Sequence, residues 1–156
     1  MRATIALFTL LLGACSPQPD VRPGTMPDLD GDFDFGTLSI INDSGERLEF
    51  DVYVAREFEQ HKRGLMFVRS MPETTGMLFI YDDDSIRSIW MKNTYIPLDI
   101  LFARSDGTVV SIDRDAVPLT LNSRASAEPA RYVLELNAGT TRRMGIGHQS
   151  RIVWEE

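Results

Sequence analysis

The residues with the most chemical capacity crowd into one passage, Ile89-Trp90-Met91-Lys92-Asn93-Thr94-Tyr95-Ile96-Pro97-Leu98-Asp99. An indole, an ammonium, a carboxamide and a carboxylate that close together suit recognition of an anionic or sugar-like ligand. Trp90 would stack, Lys92 would meet negative charge, and Asn93 and Asp99 would exchange hydrogen bonds. The same groups equally suit a structural end, in which Lys92 and Asp99 pair across the loop and Asn93 bonds the turn backbone. Arg63 and Arg69 flank Gly64-Leu65-Met66, where they could join Lys92 in a pocket for a carboxylate, a phosphate or an acidic sugar. The ligand-binding candidates are therefore Arg63, Arg69, Trp90, Lys92, Asn93 and Asp99. For catalysis, Asp99 and Glu135 are the available acid/base groups, with Lys92 to stabilise developing charge.

Several chemistries are excluded or disfavoured. No glycine-rich phosphate loop and no serine elbow appears. His61 and His148 are the only histidines and Cys15 the only cysteine, which rules out a histidine-rich metal centre and any intramolecular disulfide. Met66, Met71, Met77 and Met91, near His61 in sequence, offer thioethers to Cu(I), but each sits beside apolar neighbours as core methionines do. Asp28-Leu29-Asp30-Gly31-Asp32-Phe33-Asp34 lacks the glycine of a calcium loop, Phe33 standing in its place. No metal and no cofactor is expected. Lys and Arg number 16 against 23 Asp and Glu, a net charge of −7, which opposes nucleic-acid binding.

These candidates need elements to hold them. Period-two alternation marks Ile86 to Lys92 and Leu98 to Ala103 as strands that place Lys92 and Asp99 at the inner ends of a hairpin. Leu38 to Ile41 and Leu48 to Val54 read as a second hairpin around Asn42-Asp43-Ser44-Gly45. Asp106-Gly107 signals a third, between Ile100-Leu101-Phe102 and Val109-Val110-Ser111-Ile112. Met77 to Tyr81, Arg131 to Leu136 and Arg151 to Trp154 are further strands. Phe58, His61 and Leu65 recur near helical spacing, which predicts an amphipathic helix over residues 57–67. A shorter helix, Ala138 to Met144, is expected before Gly145. The fold class is mainly β (α+β): an antiparallel barrel or sandwich with one amphipathic helix near residues 57–67.

At 156 residues, 43% hydrophobic and 25% charged, the chain has the composition of one globular domain. Residues 1–14 combine Arg2 with the apolar run Ala3 to Leu12, too short to span a bilayer and suited to a signal peptide. The run closes in Leu12-Gly13-Ala14-Cys15, which resembles a bacterial lipobox. That resemblance implies lipidation of Cys15, and Ser16 after it implies sorting to the outer membrane. Residues 15–37, rich in Pro, Gly and Asp, read as a flexible acidic linker, and residues 38–156 as the globular domain.

Taken together, Arg63-Gly64-Leu65-Met66, Arg69, Pro72, Gly76-Met77-Leu78-Phe79, Trp90-Met91-Lys92-Asn93-Thr94 and Pro97-Leu98-Asp99 resemble the family called domain of unknown function 192. Asp106-Gly107, Glu135-Leu136-Asn137-Ala138-Gly139 and the Gly145 and Gly147 pair extend the likeness. The resemblance implies a compact, mostly β domain in secreted or lipid-anchored proteins and carries no activity. His148 departs from it, since many relatives have Asp there. The expected function is that of a lipid-anchored cell-envelope domain on the periplasmic face of the outer membrane, binding an anionic small molecule, a glycan or an envelope protein. The competing readings are a hydrolase or lyase acting on cell-wall or sugar material through Asp99 or Glu135, and a purely structural module.

Overall fold

Alternating side chains turn most of the chain into strand, in the order β1 (Asp34–Ile41), β2 (Arg47–Ala55), α1 (Phe58–Arg63), β3 (Thr75–Ser85), β4 (Ser88–Ile89), β5 (Leu98–Ala103), β6 (Val109–Ala116), β7 (Arg124–Ala125), β8 (Ala130–Asn137), α2 (Thr140–Arg143) and β9 (Arg151–Val153). These elements belong to a computed structural model, which describes Met26 and residues 29–155. Cys15, the apolar leader and most of the expected linker lie outside the described residues. Among the described residues no helix is long and apolar enough to cross a membrane.

Seven strands form one curled half-barrel sheet in the order β6-β5-β8-β3-β2-β1-β9, and β4 pairs only with β7. All pairings in the large sheet are antiparallel except β2 with β3, which α1 connects. The open edges approach each other at one end. Ile152 N–H donates to Gly107 O at 2.8 Å and Val109 N–H to Ser150 O at 3.1 Å. Gly107 is required there, because its φ is 85° and a Cβ would lie 2.0 Å from Ile152 O.

Because the curled sheet is covered on both faces, the central strands bury successive residues on opposite sides. Tyr53, Met77, Phe79, Ile100, Phe102 and Val133 belong to the core on one face. Val52, Leu78, Leu101, Leu134 and Leu136 belong to the core on the other. The folded domain also includes residues before Leu38. β1 starts at Asp34, and Met26, Leu29 and Phe33 are buried with Tyr53. The Tyr53 hydroxyl accepts from Met26 N–H and donates to the Asp30 carboxylate at 2.8 Å. A short apolar pattern hidden among Pro, Gly and Asp therefore joins the core, where a flexible acidic linker was expected.

Two further expectations are corrected. The helix spans Phe58–Arg63 rather than 57–67 and buries none of its residues. Gly64, at φ 45°, ends it, and the turns that follow put Leu65 and Val68 into the core. The hairpin expected between Ile86–Lys92 and Leu98–Ala103 does not form. β4 is held by β7, Asn93 turns the chain at φ 56°, and β5 lies between β6 and β8.

Candidate functional site

Glu135 is the unusual residue of the sheet's centre. On β8 it stands between Leu134 and Leu136, and its ladder partners are Met77 of β3 and Ile100 of β5. Directly opposed residues share a face, so its carboxyl rises on the side of Met77 and Ile100. There it floors a cavity of about 280 Å³, where it is the only carboxylate among the described lining residues. The side chain is 4% exposed, and no hydrogen bond or ion pair reaches its carboxyl from the described residues. Burial alone pushes the carboxyl up to about 8, so at neutral pH it is chiefly the uncharged acid, an O–H donor with a carbonyl acceptor beside it.

α1 and the turn after it form one wall of this cavity, and β3 with the β4 segment forms the other. His61, on α1, places Nε2 3.0 Å from Ala55 O and 3.1 Å from Ile80 O. Both partners are acceptors, so Nε2 carries the hydrogen. The imidazole lies 4.3 Å from the Tyr81 ring. Arg87 covers Tyr81 at 4.1 Å and pairs with Asp83 at 2.6 Å. Burial raises the Tyr81 phenol above its ordinary range, the Arg87 charge opposes that, and Glu135 adds to it. His61 and Tyr81 were not among the site candidates read from the sequence. The only local signal for them was their place on apolar-flanked segments that prove to face each other.

At and beside the mouth, three cations are set over aromatic rings. Lys92 Nζ lies 4.9 Å from the centroid of Trp90, Arg63 5.5 Å from Phe67, and Arg69 5.0 Å from Tyr95. Arg63 also donates to Met66 O. A second depression of about 330 Å³ adjoins the first and shares Lys62, Arg63, Met66 and Trp90 with it. Lys92, Asn93 and Phe67 line its far side. Asn93 holds that wall through its backbone, its carbonyl accepting from Phe67 N–H at 2.8 Å. Of the candidates, then, Arg63, Trp90, Lys92 and Asn93 converge around these depressions, Arg69 sits beside them on Tyr95, and Glu135 lies at the floor.

Asp99 lies elsewhere. It is fully buried on the opposite face of the sheet, where its carboxylate accepts from Thr141 N–H at 2.9 Å, Thr141 Oγ1 at 2.7 Å and Asp115 N–H at 3.0 Å. Burial pushes this carboxyl up, but hydrogen bonds from Thr141, Asp115 and Gly139 outweigh it and hold the group below its ordinary value. Lys92 makes no ion pair with it, because the hairpin that would align them is absent. Asp99 instead fastens the start of α2 to the sheet, with its oxygens occupied.

Among the described residues no group of three or more His, Cys, Asp or Glu is clustered as a metal centre requires. Met71, Met77 and Met91 are core side chains, and Met66 lines the cavity.

With this geometry in view, the match to known proteins is specific. The family model DUF192, described as an uncharacterized ACR, matches residues 39–154. The chain belongs to the DUF192 family. Two crystal structures share the fold over nearly their whole length. One, from Sinorhizobium meliloti, is described as a candidate transcription regulator; it is 40% identical, with a TM-score of 0.76, covering 78% of this chain and 94% of that one. The other, a protein of unknown function from Novosphingobium aromaticivorans, is 31% identical, with a TM-score of 0.78, covering 86% of this chain and 94% of that one. No curated protein matches the chain. As a DUF192 domain it is thus a domain of unknown function.

Proposed function

We propose that this DUF192 domain binds a small anionic ligand with a flat or apolar body, its charge held at the mouth by Lys62, Arg63 and Lys92 and its inner end hydrogen-bonded to Glu135. The observation that carries this reading is an acid with no partner among the described residues at the floor of an aromatic-walled cavity. Native proteins rarely bury a polar group without satisfying it, and a site that leaves one open is built to be completed by something else. A neutral acid both donates and accepts, so a carboxylic, amide or sugar group suits it. The cations at the mouth suit a carboxylate, phosphate or acidic glycan.

The test is a thermal-shift and NMR screen against short carboxylates, phosphates and acidic sugars, repeated on Glu135→Gln and Glu135→Leu. A ligand at 100 times its Kd raises stability by about 2.7 kcal/mol. The expected outcome is a shift that survives in Glu135→Gln, which still donates and accepts, and vanishes in Glu135→Leu. A shift that Glu135→Leu leaves intact overturns the assignment of the cavity.

Acid/base catalysis by Glu135 is the second reading, favoured by a carboxyl that burial pushes up to about 8. Among the described residues a single carboxylate lines the cavity, which does not support a hydrolase that needs a pair. A lyase working through one acid/base group fits better. Asp99 is dropped from this role because its oxygens are occupied.

The envelope setting is also proposed: lipidation at Cys15 and residence on the periplasmic face of the outer membrane, supported by the lipobox resemblance. A Cys15→Ser chain that still fractionates with membranes would sink it. The regulator description stays with the Sinorhizobium protein, because a net charge of −7 opposes the phosphate neutralisation on which DNA binding rests.

A further inference from the structure

The surface around the two depressions is unusually apolar for an exposed face. Phe58 is 76% exposed, Phe67 51% and Trp90 46%, with Tyr95 less so. They form one continuous patch: Phe58 and Trp90 share the rim of the Glu135 cavity, Trp90 and Phe67 share the second depression, and Phe67 meets Tyr95 edge-on at 6.2 Å between centroids. Leu119 extends it, its N–H bonded to Thr94 O at 3.1 Å and its side chain 57% exposed. An exposed apolar surface of this kind marks an interaction face.

The charge on this patch runs against the charge of the chain. The protein carries −7 in total, yet Lys62, Arg63, Arg69 and Lys92 all lie here, three of them stacked on rings of the patch. Among the described residues Glu59 is the one carboxylate lining the second depression, and it is matched by Lys62 at 3.7 Å. Exposed Trp, Tyr and Phe interleaved with Lys and Arg is the composition of the bilayer interface. There, rings sit at headgroup depth, long cationic stems cover apolar surface, and their heads meet lipid phosphates.

The chain enters the domain on this side. Gln60 of α1 donates through Nε2 to Asp32 O at 2.8 Å, and Asp32 and Phe33 line a groove together with Glu59 and Arg63. The N-terminal segment therefore reaches the sheet beside the helix that supplies Phe58, Lys62 and Arg63.

We propose that this aromatic and cationic rim docks on an anionic lipid surface, so that the mouth of the cavity faces the bilayer. The attraction is to lipid phosphate and acyl boundary together, and it does not depend on Glu135 or on any ligand in the cavity. Acidic lipid headgroups draw in the cations, and the rings bury part of their area at the headgroup boundary.

The test uses the full chain carrying Trp154→Phe, which leaves Trp90 as its sole tryptophan. The protein is reconstituted into vesicles whose acyl chains are brominated, made either of phosphatidylcholine alone or of phosphatidylcholine with phosphatidylglycerol. Bromine quenches only an indole close to the acyl boundary, so the readout reports the position of Trp90 however the chain's N-terminus is held. Expected are quenching and a blue-shifted Trp90 emission in the phosphatidylglycerol vesicles and little of either in phosphatidylcholine. Lys92→Glu and Arg69→Glu should each reduce the docked population severalfold, about fivefold per cation removed, while leaving Tm unchanged. Equal quenching in both vesicle types, or charge reversals without effect, overturns the proposal. Emission unchanged from that in detergent-free buffer also overturns it, and reassigns the face to an acidic protein partner.

Discussion

Asp99 and Glu135 lie on adjacent strands one register step apart, with their carboxyls on opposite faces of the sheet. Asp99 pairs with Leu136 across β5 and β8, and Glu135 with Ile100. One carboxyl is fully bonded and held below its ordinary range, and the other is unbonded and pushed up to about 8. The first fastens a helix, and the second floors a cavity. Period-two geometry turns a single residue's offset into two environments and two roles.

The unbonded acid makes stability depend on pH. The unfolded Glu135 carboxyl ionises near ~4.3, whereas the folded one does so near 8. Between these values the native state holds a proton that the unfolded chain has lost, so stability falls as pH rises through the window, by up to about 1.4 kcal/mol per pH unit. Urea melts at pH 5 and pH 8 should show this loss in the wild type and a much smaller one in Glu135→Gln.

The bonded acid has the opposite sign. With its folded value depressed, the contribution of Asp99 is full above the unfolded value and is lost as pH falls through the folded one. Asp99→Ala strands the Thr141 and Asp115 N–H groups and should cost about 2–4 kcal/mol. Chemical denaturation checks the cost. A ligand found in the Glu135 cavity should bind any folded Asp99 variant with unchanged affinity.

Gly64 ties the helix to the cavity. Its φ of 45° disfavours a side chain, and a Cβ would come 3.2 Å from the Phe79 ring. Gly64→Ala should lower stability by about 1–3 kcal/mol and move His61 and Arg63, which precede it. Chemical-shift changes at Glu135 and Tyr81 in an NMR spectrum of the variant would report that movement, and their absence would deny the coupling.

Trp90 is an exposed wall. Trp90→Ala should leave Tm nearly unchanged, as surface substitutions do, while weakening binding of a cavity ligand by roughly tenfold at most. Titration calorimetry separates the two effects.

The N-terminal segment is part of the folded unit. Leu29 is fully buried and Tyr53 grips Met26 and Asp30, its phenol pushed up to about 12 mainly by burial. Leu29→Ala should cost about 2–5 kcal/mol, and Tyr53→Phe about 1–2 kcal/mol. A chain that lost nothing from either change would show that the segment only rests on the domain.

By itself the sequence determined the β-rich class, the family, and the β1–β2 and β5–β6 hairpins, because alternation and turn residues such as Asp106-Gly107 act between neighbours in the chain. It also marked Glu135, a lone carboxylate inside Val133-Leu134-Glu135-Leu136. Tertiary structure decided which candidates meet. Lys92 and Asp99 looked like partners because they are close in sequence, but strand order separates them: β5 pairs with β6 and β8, and β4 leaves for β7. His61, Tyr81 and Glu135 come from α1, β3 and β8, and no local pattern records that these elements enclose one cavity. The burial of Leu29 was equally illegible, since its apolar partners lie on β1 and β2, beyond the Pro, Gly and Asp that surround it. Local physics sets the elements, and long-range packing alone decides which faces they share.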